Sequence, residues 1–162
     1  MDRLMWKPGW VEAPNDEFQA RLRAELDKEP DKGWVADGNY DRRGGLVALE
    51  ESTDIIWLDP PLVLYLPRLI WRTFLRLFRL REPCSAGCFE RPTEVFFSKE
   101  SIVWWCISNH WKVRARNEGR MRELGIENGT SPRRRMRRLG GWGAELKKWL
   151  QEVEQMIHSK QE

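Results

Sequence analysis

A chain of 162 residues with 28 Lys and Arg against 25 Asp and Glu predicts one domain, residues 1–162, with a single core. The net charge of +3 is small, so any preference for anions rests on where the arginines cluster rather than on their sum. Three cysteines, an odd number, and no leader of basic residues, apolar run and cleavage site argue against a secreted disulfide framework and predict a reducing, cytoplasmic setting.

Residues 1–14, MDRLMWKPGWVEAP, carry two prolines, a glycine and two tryptophans without a period, which predicts an ordered loop held by its aromatics. Asn15 or Asp16 then caps a helix over about 16–28, with Phe18, Leu22 and Leu26 recurring every four residues. WVADGNY follows: a short β-forming run, 34–37, that ends on an acid and breaks into a turn. A short helical segment is predicted at 46–51. DIIWLDPP, 54–61, reads as a second strand, apolar on both faces and stopped by prolines, as a buried parallel strand would be.

A long helix is predicted over about 61–80. Its run is apolar, but Pro67 and arginines at 68, 72, 76 and 79 exclude a membrane span, since each Arg costs about 2.5–3.5 kcal/mol at the bilayer centre. A loop follows at 81–97, then a second long helix over about 98–118 with Ser98 as its cap, a strand within RRRMRRL, and a last helix at 143–158. The last helix has Leu146, Trp149, Leu150, Val153 and Ile157 on one face. Strand alternating with helix is an α/β order. The ten tryptophans are expected mainly in the core.

At about 100° per residue, Arg68, Arg72, Arg76 and Arg79 form one narrow stripe on an otherwise apolar helix that is expected to be mostly buried. Like charges stacked at i and i+4 destabilise a helix by about 0.2–0.5 kcal/mol per pair, so the stripe should face carboxylates or a bound anion. A solvated face is the plainer alternative. Arginine at all four places suits forked contacts to phosphate.

In their order and spacing LMWKPGW, WVADGNY, STDIIWLDPP with its Arg-bearing helix, CSAGCFE and LGGWGAELKKWL resemble the adenylate-kinase-like P-loop NTPases, small nucleotide-kinase relatives, over nearly the whole chain. The resemblance implies a three-layer parallel sheet flanked by helices, and ATP with Mg2+ as ligands. Asp37 would take the place of the magnesium-holding acid. Gly38, Asn39 and Tyr40 would line the acceptor side, with Arg42, or Arg43 one residue on, gripping the acceptor phosphate. Arg68, Arg72 and Arg76 resemble the catalytic arginines that close over the transferring phosphoryl group, Gly141 and Trp142 edge the base, and residues 81–97 correspond to a lid. The chain departs from the family in lacking GxxxxGK[ST], the loop that cradles the phosphates, which in relatives lies upstream of the segment resembling MDRLMWKPGW. It is in that sense N-terminally truncated, and the family's first strand would be missing between 34–37 and 54–58.

Two further patterns are separate from the resemblance. Cys84 with Cys88 and Cys106 with His110, each with three residues between, could together hold zinc, or could be free thiols and a core cysteine. Five arginines between 133 and 138 could meet nucleic-acid phosphates, or form a solvated edge strand. The functional expectation is a nucleotide or small phosphorylated ligand as partner, with phosphoryl transfer to a small acceptor as the ancestral activity. A non-catalytic binding or interaction protein is the alternative, ahead of a nucleic-acid-binding module.

Overall fold

The computed structural model describes residues 1–29, 31–38, 40–90 and 101–159. Asn39, the side chain of Arg42, Ser98 and the 91–97 part of the expected lid lie outside the described residues. The fold is mixed α/β, and the chain divides into two compact units, Met1–Thr53 with Arg72–Phe97, and Asp54–Trp71 with Ser98–Glu162.

In the first unit the expected N-terminal loop is a short helix α1, Asp2–Met5, and a two-stranded antiparallel ribbon, β1 Trp6–Lys7 and β2 Val11–Glu12. Left-handed Gly9 and Trp10 make its turn, and Trp6 and Trp10 meet edge to face at 5.5 Å. Helix α2, Asn15–Leu26, buries Phe18, Leu22 and Leu26 as its spacing predicts. Pro14 occupies the N-cap position with no side-chain capping bond, in place of the expected Asn15 or Asp16, although Asp16 and Glu17 still suit the positive end of the helix. These three side chains close on Met5, Ala13 and Ala48 to form the apolar core, with Trp34 and Tyr40 packed at its margin.

Residues 34–37 are not the expected strand. Their backbone pairs with no strand among the described residues, and Val35 is 98% exposed. The β preference of WVA is a preference for a pleated surface with neighbours, and among the described residues no strand lies alongside. A 3-10 turn at Asp41–Arg43 and helix α3, Leu46–Glu51, complete this part.

In the second unit β3, Ile55–Asp59, pairs in parallel with β4, Met136–Gly140, Ile55 opposite Met136 and Asp59 opposite Gly140. The strand is where the sequence places it, but it is not buried on both faces: Trp57 and Asp59 are buried while Leu58 is 56% exposed. Helix α5, Ile102–Leu124, is capped by Ser101, whose hydroxyl accepts from the Val103 amide at 3.3 Å, and α6, Ala144–Ser159, ends the described chain.

Helix α4, Leu62–Leu77, contains Pro67 and belongs by its first part to the second unit and by its last turns to the first. The expectation of a mostly buried helix fails, because Thr73 is its one buried residue and Val63, Ile70, Trp71 and Phe74 are exposed. The tryptophans depart from expectation in the same way. Trp57 is buried, whereas Trp71, Trp104, Trp105, Trp111 and Trp142 are more than half exposed. Among the described residues no helix is long and apolar enough to cross a membrane.

Candidate functional site

The carboxyl end of β3 carries Asp59, whose side chain is only 5% exposed. The strand ends there because Pro60 and Pro61 cannot extend the ladder, and α4 starts at once. Burial of a carboxylate is costly without partners. Arg138, opposite Trp57 on β4, donates to Asp59 through Nη2, and Arg114 of α5 lies 3.6 Å away. The Arg138 guanidinium also sits over the Trp57 ring, 4.9 Å from its centre, so one arginine ties the face of the sheet to its end.

A cleft of about 310 Å³ opens beside Asp59. Trp57, Leu58, Pro60, Trp105 and Val113 supply apolar wall, and Tyr65, Cys106, Asn109, His110 and Arg114 line it with Asp59. Helix α5 supplies half of this set by periodicity: Trp105, Asn109 and Val113 form one row at i, i+4 and i+8, and Cys106, His110 and Arg114 the adjacent row.

Tyr65 faces His110 across 2.7 Å from its hydroxyl to Nδ1, with ring centres 5.8 Å apart. Burial, then the contact with Cys106, pushes the Tyr65 phenol well above its ordinary value, so the phenol keeps its proton. The phenol and the ring nitrogen share this hydrogen bond. The cleft thus combines flat aromatic walls, an imidazole and a carboxylate bridged by two guanidinium groups. A planar, polar ligand with an anionic group suits it. Each guanidinium has five donors, and one carboxylate does not occupy them all.

Cys106 and His110, singled out from sequence as metal ligands, line this cleft, and the residues expected to serve a nucleotide do not. Asp37 is exposed and accepts through its main-chain oxygen from the Met1 amino group at 3.1 Å. Gly38 adopts a φ of +129°, and a Cβ there would come within 3.1 Å of Met1, so the turn admits no side chain. Tyr40 donates to Asp2 at 2.6 Å and packs on Phe18; burial and that bond raise its phenol well above the ordinary value. These contacts hold Asp37 and Tyr40 to the N-terminal segment. Arg68 and Arg72 are exposed and Arg76 is partly buried, its Nε without a hydrogen-bond partner among the described residues. Gly141 and Trp142 are exposed in the turn before α6.

Cys84 and Cys88 lie in the first unit, where Cys88 is buried and donates to the Lys7 carbonyl at 3.2 Å. Cys106 and His110 lie in the second. Among the described residues no group of three or more His, Cys, Asp or Glu side chains comes together as a metal site. In the basic run, Arg137 pairs with Glu152 at 3.6 Å and Arg138 with Asp59, so at least two of the five arginines are already engaged.

Sequence reasoning passed over Asp59, Tyr65, Asn109, Arg114 and Trp105. The signal for Asp59 was nonetheless in DIIWLDPP: an apolar run ending on an acid before a break, the same criterion applied to Asp37. Compared with family models, curated proteins and solved structures, the chain shows no match.

Proposed function

We propose that the chain is a nucleotide-binding protein that holds its ligand in the cleft at the carboxyl end of β3 without turning it over. One observation carries this reading: a parallel strand pair ends on a buried acid flanked by two arginines, beside a cleft with aromatic walls. Open α/β sheets bind ligands at the carboxyl ends of their strands, and the pair with its following helices fits the larger three-layer P-loop-like sheet that the resemblance implies.

Trp57, Tyr65 and Trp105 offer surfaces for a base, while Arg114 in the cleft wall offers donors to a phosphate. Binding without turnover is favoured because the Asp59 carboxylate is engaged by arginines rather than offered to magnesium. Arg68, Arg72 and Arg76, with Asp37 and its turn, remain the residues for phosphoryl transfer under the catalytic form of the same proposal.

Calorimetric titration with ATP, ADP and AMP, with and without Mg2+, tests the reading, followed by an assay for release or transfer of phosphate. Binding that Trp105→Ala and Arg114→Ala each weaken about tenfold, with no phosphate released, supports it. Turnover that survives Arg114→Ala but is lost in Arg72→Ala moves the site to the arginine stripe. No binding of any of the three at millimolar concentration overturns it.

A further inference from the structure

Parallel pairing uses the main chain of each strand alternately. The Ile55 amide donates to the Arg135 carbonyl at 2.8 Å, and the register runs without a break from Ile55 opposite Met136 to Asp59 opposite Gly140. Residues 55, 57 and 59 therefore turn both N–H and C=O toward β4, and Ile56 and Leu58 turn theirs to the other edge. Among the described residues the sheet has two strands, so those four outward groups have no ladder partner.

Natural edge strands are blunted by lysine, proline or a bulge, and the run Ile55–Leu58 itself has none of these. Leu58 is an exposed large apolar residue on it.

We infer that the outer edge of β3 is a self-association surface, at which β3 of a second copy of this chain adds antiparallel. The strand is complementary to itself. A two-fold axis through Trp57 sets Ile56 opposite Leu58 of the second copy, and the outward groups of such a pair exchange both hydrogen bonds, as closely spaced antiparallel pairs do. The same axis sets Asp59 opposite Ile55 and Asp54 opposite Pro60, so no like charges meet, and the prolines that follow confine the pairing to this run. So short an edge buries less than the roughly 1,200 Å² of a standard interface, which makes the dimer weak and concentration-dependent.

Amide exchange by NMR, read beside sedimentation equilibrium on the intact chain, tests the inference. Protection at Ile56 and Leu58 should rise about tenfold in step with the dimer fraction, while Ile55 and Trp57, bonded to β4, stay protected at every concentration. Leu58→Pro deletes an outward amide only, and Ile56→Lys places a charge on the edge; each should abolish the dimer and leave protection at Ile55 in place. Should Leu58→Pro fail to fold, Ile56→Lys and the unsubstituted chain decide. A monomer at all concentrations overturns the inference, as does slow exchange at Ile56 and Leu58 within the monomer. A dimer indifferent to both substitutions, or protection that needs an added foreign apolar peptide, overturns it too.

Discussion

The two units bury different things. The first closes Met5, Ala13, Phe18, Leu22, Leu26 and Ala48 into one apolar cluster and buries the small hydroxyl residues Ser52, Thr73 and Ser85, while the second buries, among the described residues, a carboxylate, an imidazole and an amide, Asp59, His110 and Asn117, with Ser101, beside Trp57, Cys106, Met136 and Leu139. An apolar cluster gains stability in proportion to area and asks little of geometry. A buried carboxylate, imidazole and amide are stable only where partners satisfy them, and that requirement fixes side chains in the arrangement a ligand can use. The contrast separates a unit that resists unfolding from one whose packing is organised around polar groups.

The contrast can be broken most sharply at Phe18, the most enclosed side chain of the first unit. Phe18→Ala should cost about 3–5 kcal/mol in urea denaturation, enough to unfold most of that unit. The second unit should respond most at Asp59. Asp59→Ala leaves Arg138 without this carboxylate and Arg114 with Glu118 alone, but both arginines are a third or more exposed and can hydrate, so the expected loss is about 2 kcal/mol by the same measurement. A loss as large as that at Phe18 would erase the distinction between the units.

Tyr65→Phe removes the hydrogen bond to His110 and keeps the ring. About 1 kcal/mol should be lost, with the His110 resonances shifting in the NMR spectrum. The chain's two tyrosines, Tyr40 and Tyr65, fall one in each unit, and burial raises both phenols. A raised folded value means that the stabilisation is fully present below the unfolded value of about 10 and is lost as pH rises through the folded one. Alkaline titration should therefore show no tyrosinate absorbance at about pH 10 and a rise only together with unfolding. A phenol that ionised near pH 10 in the native protein would show its unit to be open to water. The smallest effect belongs to Val35→Ser, expected within about 0.5 kcal/mol of neutral, whereas a residue inside a buried strand would lose more than that.

The elements whose own periodicity or punctuation defines them were legible in the sequence. Phe18, Leu22 and Leu26 marked α2, Leu46 and Leu49 marked α3, and the double proline marked the end of β3. Residues 34–37 were not legible, because a strand exists only in pairing and WVAD carries no information about what lies beside it. The tryptophans misled for a related reason, since composition counts indoles without saying which face of a helix they occupy. The cleft was missed because Cys106 and His110 were weighed as a metal pair. Taken with Trp105, Asn109, Val113 and Arg114, the same spacing describes one face of a helix turned toward Asp59.

The distribution of indoles governs how this protein looks to light. Trp57 is the one buried tryptophan and lies beneath a guanidinium, while five others are more than half exposed to water. Total fluorescence of the native chain is dominated by solvated rings and sits close in colour to that of the denatured chain. Near-ultraviolet circular dichroism, which weights rings held in one asymmetric setting, follows the loss of structure around Trp57 instead.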